Sequence, residues 1–394
     1  MDVTIYPRRL CGTLTPPPSK SMAHRVALAE LLAGKDTFSV SASLSEDIRA
    51  TLSCADALRL SAPDCVELPA LDCGESGSTL RFLIPVALVL RGGGVFTGRG
   101  RLLERPMEPY RNLFREKGVL CEQSENYLTV RGRLTPGEYR LPGDVSSQFV
   151  TGLLFALPLL RGDSAIRLTS PLESAAYVDM TLDVLDKCGV AVARPDAETF
   201  LVPGGQRYRA DGLSVEADWS QAAFWCAANF LGNRVKILGL NPASVQGDRA
   251  IVEIFRKMAN PNPIPIEIDL SGIPDLFPPL AVMAAWHTVT YFTHAGRLRL
   301  KESDRLDSIA NLLRAFGASV KTGSDWMRVH GGISDPGAPL TLDGHNDHRI
   351  VMAAAVLASV WDKPVTICGA EAVNKSYPAF FADYQKLGGK IRVL

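Results

Sequence analysis

A repeated supersecondary unit is the feature that most constrains the fold of this 394-residue chain. Six short loops of small or polar residues each lead directly into an apolar run with helical spacing, and they centre near Ser19-Lys20, Gly77, Ser147, Ser220, Asp275 and His348. Glycines mark a regular interval as well: Gly118 and Gly189 are 71 residues apart, as are Gly317 and Gly388, and each follows a helix-like segment. Periods of this length indicate one unit that is used several times.

The residue pattern of each unit predicts a strand, a helix, a second strand, a second helix and one or two further strands, in that order. Helices are predicted over residues 106–116, 175–187 and 304–316, each closed by a glycine in the left-handed C-cap position. Short strands are predicted at residues 191–193 and 319–320. Six such units predict an α/β protein with three units in each lobe. Generic βα repeats without functional meaning are the alternative that the pattern alone leaves open.

Composition excludes several classes of protein. Lys plus Arg (42) equals Asp plus Glu (42), so no overall charge attracts nucleic acid or an anionic membrane, and any affinity for anions must be local. Eight cysteines without a CxxC pair argue against a zinc cluster or a disulfide framework and favour a reducing cytosol. The longest apolar stretch, residues 149–160, is too short to span a bilayer. We expect a cytoplasmic protein without a targeting segment.

Charged residues are concentrated at the predicted helix starts, where unpaired N–H groups and the helix dipole favour anions. Lys20 lies in a first helical turn, where the dipole disfavours a cation, so a bound anion is the favoured explanation and a solvated surface lysine is the alternative. Ser21 and Arg25 are four residues apart and share a helix face.

Four further loops carry polar or charged groups. The glycine-rich run 74–81 permits close backbone approach by a ligand but matches neither a nucleophile elbow nor a P-loop. In Ser146-Ser147-Gln148, capping accounts for one serine and the others suggest ligand contacts. Ser303 is predicted to cap the helix after Lys301 and Glu302, although internal ion pairs are an equal alternative there. His345 and His348 lack further metal ligands nearby, so no metal is predicted.

Taken together and in order, these segments resemble the 5-enolpyruvylshikimate-3-phosphate (EPSP) synthase family along the full chain. The resemblance rests on the following segments: Ser19-Lys20-Ser21 with Arg25, Gly77 with Arg81, Arg105-Pro106, Ser146-Ser147-Gln148, Ile273-Pro274-Asp275, Lys301-Glu302-Ser303-Asp304-Arg305, Asn346-Asp347-His348-Arg349, and Lys375. It implies the two-lobed enolpyruvyl transferase fold, an inside-out α/β barrel of six βαβαββ repeats. Residues 19–215 would form one lobe and residues 1–18 plus 216–394 the other, with two chain crossings.

The resemblance also implies an activity: transfer of the enolpyruvyl group of phosphoenolpyruvate to the 5-hydroxyl of shikimate 3-phosphate, with release of phosphate. This reaction belongs to the shikimate pathway towards chorismate and the aromatic amino acids. The family requires no cofactor or metal, is inhibited by glyphosate in the phosphoenolpyruvate site, and is expected to be monomeric. No nucleic-acid or membrane partner is implied.

Matching positions carry the family's roles onto this chain. Phosphoenolpyruvate would be bound by Lys20, Gly77, Arg105, Gln148, Arg305, Arg349 and Lys375. Shikimate 3-phosphate would be bound by Ser21, Arg25, Ser146, Ser147, Gln148, Ser174, Tyr177, Asp275 and Lys301. Asp275 would take the proton from the 5-hydroxyl, and Glu302, helped by Lys20, would protonate the methylene carbon and later remove that proton.

Two positions depart from the family pattern, because Glu75 and Arg297 each stand where asparagine is usual. The main rival is the enolpyruvyl transferase that acts on UDP-N-acetylglucosamine, which uses a reactive cysteine. Residues 99–108 contain no cysteine, which favours the shikimate branch. A homologue that binds a phosphorylated metabolite without turnover is a second rival, and the presence of Asp275 and Glu302 argues against it.

Overall fold

A computed structural model describes residues 1–41, 45–61, 67–260, 264–287, 289–333 and 338–394. The chain divides into two compact units, residues 20–215 and residues 1–19 with 216–394. Each has its own hydrophobic core, which is typical of domains that fold independently. Within the described ranges, every helix is too short or too polar to cross a bilayer.

The described strands are β1 (Val3–Tyr6), β2 (Cys11–Leu14), β3 (Ala70–Asp72), β4 (Gly93–Thr97), β5 (Leu120–Gln123), β6 (Tyr127–Arg131), β7 (Gly137–Leu141), β8 (Ser164–Leu168), β9 (Thr199–Val202), β10 (Arg234–Ile237), β11 (Ile266–Asp269), β12 (Val289–Thr293), β13 (Ser319–Thr322), β14 (Met327–His330), β15 (Leu340–Asp343), β16 (Val365–Cys368) and β17 (Lys390–Val393). The described α-helices are α1 (Lys20–Leu32), α2 (Glu46–Leu60), α3 (Gly77–Arg91), α4 (Glu108–Glu116), α5 (Ser147–Ala156), α6 (Ala175–Lys187), α7 (Trp219–Phe230), α8 (Ile251–Met258), α9 (Phe277–Trp286), α10 (Arg305–Ala315), α11 (His348–Ala358) and α12 (Phe380–Lys386).

The predicted unit recurs in both halves of the chain. In unit 20–215, one sheet has the strand order β3-β4-β6-β5 and a second has β7-β8-β9. In each sheet the first two strands are parallel, and an α-helix connects them, as parallel pairing requires. The remaining helix pair of this unit, α1 and α2, has no sheet of its own among the described residues.

The other unit contains sheets with the orders β11-β12-β14-β13 and β15-β16-β1-β17, and a parallel pair of β2 with β10. Strand β1 lies between β16 and β17 and is antiparallel to both. Strand β1 is the third strand of its sheet, as β14 is the third strand of the sheet β11-β12-β14-β13. A strand from the beginning of the chain thus completes the sheet formed by the end of the chain.

Helix ends agree with the glycine spacing. Gly118, Gly189, Gly317 and Gly388 all have positive φ, between 68° and 89°, just beyond α4, α6, α10 and α12. Left-handed backbone at this position satisfies helix carbonyls, and glycine adopts it without steric cost. The predicted helix 175–187 is observed with the same bounds, and the predicted helix 106–116 begins two residues later, at Glu108.

Two local predictions were wrong. Residues 191–193 form no named strand and contribute one isolated bridge, Ala193 to Leu201. Ser303 does not cap α10: Asp304 does, by accepting the N–H of Asp307 at 3.1 Å. The Ser303 hydroxyl donates to Asp347 at 3.1 Å instead, so a tertiary partner displaces the local capping bond.

The seven described cysteines are free thiols, and Cys65 lies outside the described residues. The described His, Cys, Asp and Glu side chains include no group of three that could hold a metal ion.

Candidate active site

Lys20 begins α1 and forms an ion pair with Asp47, with 2.8 Å between Nζ and Oδ2. Asp47 lies in the first turn of α2, where Ser45 caps the helix by accepting the N–H of Ile48. Both charged side chains are mostly buried, at 17% and 11% exposure. Part of the negative charge expected near Lys20 therefore comes from Asp47 of the same chain. This ion pair was not predicted from the sequence.

Arg25 joins α1 to α6. Its guanidinium donates to the backbone oxygens of Ser21 and Tyr177, both at 2.6 Å, and its Nε donates to Thr181 Oγ1 at 2.9 Å. Ser174 lies in the same region, directly before α6, with a left-handed φ of 56°. The structure thus brings Ser21, Arg25, Ser174 and Tyr177 together.

Gly77 is the centre of the second group. A Cβ added there would lie 3.0 Å from Arg105 Nη1, 3.1 Å from Arg81 Nη1 and 3.4 Å from Gln148 Oε1. Glycine therefore allows two guanidinium groups and an amide to approach the first turn of α3. Helix starts of this kind bind anions through backbone N–H groups, and the two arginines add charge.

Arg81 orients Gln148. The Arg81 Nη1 donates to Gln148 Oε1 at 2.7 Å, and Gln148 Nε2 donates to Ser78 Oγ at 3.0 Å. Arg81 also lies over the ring of Phe149, 5.1 Å from its centroid. The sequence motif includes Arg81, but its tie to Gln148, 67 residues away, is visible only in three dimensions.

Ser146 caps α5 by accepting the N–H of Gln148 at 3.3 Å, and Ser147 is the first residue of that helix. Capping accounts for one of the two serines, as the sequence predicted.

In the unit that contains residues 216–394, Arg305 is the centre of a network of carboxylates. Its Nε donates to Asp347 Oδ2 at 3.0 Å, its Nη1 to Asp275 Oδ1 at 3.1 Å, and its Nη2 to Glu302 Oε2 at 2.6 Å. The guanidinium is buried, with 1% exposure. The alternative for residues 301–305, a loop with internal ion pairs, is thus observed between Arg305 and Glu302, and Asp275 pairs with Arg305 from outside this segment.

Asp275 contacts three cations. Besides Arg305, Arg349 Nη2 lies 2.9 Å from Oδ2, and Lys301 Nζ lies 3.8 Å from Oδ1. Arg349 also donates to the backbone oxygen of Asp275 at 2.9 Å. Burial opposes ionisation of Asp275, but the charges of Arg349, Lys301 and Arg305 outweigh it and lower the pKa of this carboxyl well below its usual range. Asp275 is therefore a carboxylate at neutral pH.

Two more residues of the segments that carry the resemblance, Asp347 and Lys375, lie near this network. Asp347 caps α11 by accepting the N–H of Arg349 at 2.9 Å, which ties the arginine's backbone to the carboxylate that holds Arg305. Lys375 is buried, and its Nζ donates to the backbone oxygen of Asn346 at 2.6 Å.

Lys301 is easier to deprotonate than an ordinary lysine. Burial and the neighbouring charges of Arg305 and Arg297 lower its pKa, while Asp275 and Glu302 oppose the shift, and the pKa is about 8.

Asp248 is a buried carboxyl that the sequence had not identified. Burial and the nearby Asp275 raise the pKa of Asp248 to about 7.

Glu75 and Arg297, the two residues that depart from the family pattern, have different surroundings. A Cβ on Gly100 would lie 2.7 Å from Glu75 Oε2, so this carboxylate packs against the backbone of the loop that follows β4. Arg297 donates through Nη2 to the backbone oxygen of Ser271 at 2.9 Å.

Comparisons with known proteins give one consistent result. A family sequence model described as EPSP synthase (3-phosphoshikimate 1-carboxyvinyltransferase) matches residues 5–384. A 3-phosphoshikimate 1-carboxyvinyltransferase of Clostridium kluyveri is 41% identical, over 99% of this chain and 98% of its own. One of Clostridium novyi is 39% identical over the same shares.

Solved structures extend the likeness to the fold. EPSP synthase from Acinetobacter baumannii has a TM-score of 0.75 at 23% identity, with 100% of both chains covered. The enolpyruvyl transferase NikO from Streptomyces tendae has a TM-score of 0.73 at 18% identity, over 99% of this chain and 98% of its own. The enolpyruvyl transferase fold predicted from the sequence is confirmed.

Proposed function

Because the chain belongs to the EPSP synthase family, we propose that it transfers the enolpyruvyl group of phosphoenolpyruvate to the 5-hydroxyl of shikimate 3-phosphate and releases phosphate. Identity of 41% over nearly the whole length of a curated relative carries this proposal. The reaction would serve the shikimate pathway, which leads to chorismate and the aromatic amino acids.

Phosphoenolpyruvate is assigned to two groups of residues. One belongs to unit 20–215 and comprises Lys20, Gly77, Arg105 and Gln148; the other belongs to residues 216–394 and comprises Arg305, Arg349 and Lys375. The crowding of Arg105 and Arg81 at the start of α3 supports the first group, because two guanidinium groups beside helix N–H groups attract a phosphate or carboxylate. In the second group, Arg349 bonds to both the side chain and the backbone of Asp275.

Shikimate 3-phosphate is assigned to the polar groups that α1, α5 and α6 present, together with Asp275 and Lys301. The assigned residues are Ser21, Arg25, Ser146, Ser147, Gln148, Ser174, Tyr177, Asp275 and Lys301. The three bonds of Arg25 support this assignment, because they fix Ser21 against the start of α6 before any ligand binds. Such preorganisation lowers the entropic cost of binding.

Asp275 is assigned as the base that accepts the 5-hydroxyl proton. A carboxylate held by three cations is ionised but weakly basic, so its basicity must rise in the substrate complex. Anionic substrate groups that bind Arg305 and Arg349 would offset the positive charge that stabilises the Asp275 carboxylate. Its pKa would then move towards the range useful in general base catalysis.

Glu302 is assigned to proton transfer at carbon, with assistance from Lys20. The new C–O bond forms between the 5-oxygen and C2 of phosphoenolpyruvate while the methylene carbon gains a proton. In the second step the C–O bond to phosphate breaks, the methyl group gives one of its three protons to Glu302, and phosphate leaves with the proton that Asp275 had accepted. The Arg305 contact to Glu302 at 2.6 Å supports this role, because it fixes the carboxylate orientation.

The decisive experiment measures phosphate release from phosphoenolpyruvate with shikimate 3-phosphate, and with UDP-N-acetylglucosamine in a parallel reaction. We expect release with the first acceptor alone. Release with the second alone would replace the proposed acceptor, and release with neither would support a binding protein without turnover. We further propose that the protein is cytoplasmic, which the free thiols of its seven described cysteines support, and monomeric, which is the state that the family resemblance implies.

A further inference from the structure

Arg297 lies where the family pattern usually has asparagine, and its contacts give it a role that rests on the proposed function. It belongs to a 3-10 helix, Gly296–Leu300, and is half-buried. Its Nη2 donates to the backbone oxygen of Ser271 at 2.9 Å. The side chain therefore connects this helix to the loop that follows β11.

The loop that receives this bond presents Asp275. Ser271 N donates to Asp269 Oδ1 at 2.8 Å, and Ile273 N donates to the oxygen of Leu270 at 3.2 Å. These bonds form a compact turn that leads into the short 3-10 helix Pro274–Leu276. The Arg297 bond holds this turn from outside, four residues before Asp275.

The helix that donates this bond leads into Lys301, which is the next residue after Leu300. Its first turn is fixed separately, because Ala295 N donates to the backbone oxygen of Asp325 at 3.0 Å and Gly296 N donates to that residue's side chain. Lys301 Nζ and Asp275 Oδ1 are 3.8 Å apart, a distance that depends directly on how the two loops are placed. Arg297 is a direct side-chain link between those loops.

Arg297 also acts on Lys301 by its charge. The charged groups that face Lys301 are Asp275 and Glu302, which favour its protonated form, and Arg305 and Arg297, which disfavour it. Of the two arginines, Arg305 has the larger effect on Lys301 and Arg297 the smaller. Arg297 adds a further positive charge on the side of the Ser271 turn.

We propose that Arg297 is a positioning residue for the acceptor site: it ties the Asp275 loop to the Lys301 loop and adds positive charge beside Lys301. Asparagine, the usual residue here, has an N–H donor on a shorter side chain and carries no charge. The two parts of the proposal can therefore be separated by substitution.

The test compares Arg297→Gln, which keeps an N–H donor and loses the charge, with Arg297→Lys, which keeps the charge and loses the planar fork. Arg256→Gln is the matched control, since Arg256 lies on α8 of the same unit and pairs with Glu253 at the surface. The first readout is the pH dependence of acetylation of Lys301 by acetic anhydride, followed by mass spectrometry. It requires no turnover.

In Arg297→Gln, we expect the midpoint of Lys301 acetylation to move up by about half a pH unit or more, because a neighbouring positive charge is removed. In Arg297→Lys and Arg256→Gln the midpoint should remain within about 0.2 units of the parent protein. An unchanged midpoint in Arg297→Gln, or the same shift in both Arg297 variants, would overturn the electrostatic part of the proposal.

The second readout is kcat/KM for shikimate 3-phosphate between pH 6 and 10. We expect about a tenfold decrease in Arg297→Gln and a smaller one in Arg297→Lys, mainly through KM, with the alkaline limb displaced upward only in the glutamine variant. Wild-type kinetics in both variants would refute the positioning role. If the parent protein releases no phosphate at all, the proposed function fails, whereas the acetylation result still decides whether Arg297 controls Lys301.

Discussion

The Nε–H of Arg305 donates to Asp347 Oδ2 at 3.0 Å, and both side chains are almost completely buried. Asp347 also accepts bonds from Ser303 and from the backbone N–H of Arg349. One carboxylate therefore holds in place both arginines that contact Asp275. Its charge compensates a guanidinium that is almost entirely removed from water, which makes the pair sensitive to loss of either partner.

Asp347→Asn should therefore destabilise the protein by roughly 3–5 kcal/mol, the usual cost of breaking a buried ion pair. Urea unfolding followed by tryptophan fluorescence measures this change. Asp362→Asn is the control, because Asp362 is an exposed aspartate in the turn after α11 and its loss should change stability by less than about 0.5 kcal/mol. Equal effects of the two substitutions would mean that the buried pair contributes no more than a surface charge.

Gly77→Ala should raise KM for phosphoenolpyruvate and weaken inhibition by glyphosate. The added methyl group would lie 3.0 Å from Arg105 Nη1 and 3.1 Å from Arg81 Nη1, so the guanidinium groups must move. Steady-state kinetics with each substrate varied in turn tests this, and KM for shikimate 3-phosphate should stay within about twofold. Unchanged inhibition by glyphosate would place the inhibitor elsewhere.

Asp275→Asn should lower kcat by about 10²–10⁴-fold, the range associated with loss of a positioned base. Binding of phosphoenolpyruvate should be unchanged or tighter, because the substitution removes a negative charge that now engages Arg305 and Arg349. Titration calorimetry and turnover measured on the same preparation separate the two effects. Weaker binding with kcat preserved would contradict the assignment of Asp275. The control is Glu267→Gln, at an exposed position on β11.

Glu302→Gln should likewise reduce kcat far more than it raises KM, because the amide cannot exchange a proton with the methylene carbon. The amide oxygen can still accept a bond from Arg305, so the fold around the arginine should be retained. Incorporation of solvent deuterium into the methylene group of phosphoenolpyruvate provides a direct measurement. Normal deuterium incorporation in the variant would assign this proton transfer to another residue.

Asp248→Asn should stabilise the protein relative to the parent, and this stabilisation should be larger at pH 8 than at pH 5. Burial and Asp275 raise the pKa of Asp248 to about 7, so the folded parent binds this proton more tightly than the unfolded chain. The parent consequently loses stability as pH rises from about 4 to about 7. Asparagine removes that loss, which is on the order of 2–4 kcal/mol above pH 7.

Urea unfolding at both pH values measures this difference, with Asp362→Asn as the reference. A stability difference that is the same at pH 5 and pH 8 would show that Asp248 is not protonated near neutral pH in the folded protein.

Local patterns predicted the features that depend on neighbouring residues. The glycine C-caps and the bounds of α6 follow from backbone conformation and helical spacing, so the sequence contains them directly. The cap of α10 was assigned one residue too early because Ser303 has a partner, Asp347, that is 44 residues away. Helix propensity carries no information about such a contact.

The sequence predicted which residues belong to the site but not the ion pairs and hydrogen bonds between them. Matching motifs identified Asp275, Glu302, Arg305 and Arg349, yet their mutual ion pairs emerge only when three loops are folded together. Asp47 and Asp248 were missed because an isolated aspartate has no distinguishing local pattern. The pairing of Lys20 with Asp47 shows, in addition, that a cation in a first helical turn can be stabilised by its own chain.

The place of β1 between β16 and β17 affects how the protein is made. Residues 3–6 are synthesised more than 350 residues before their hydrogen-bonding partners, residues 365–367 and 390–393. At roughly 5–20 residues per second, synthesis leaves this strand without either neighbour for tens of seconds, while unit 20–215 has its whole sequence available. We therefore expect unit 20–215 to fold first and β1 to join its sheet last.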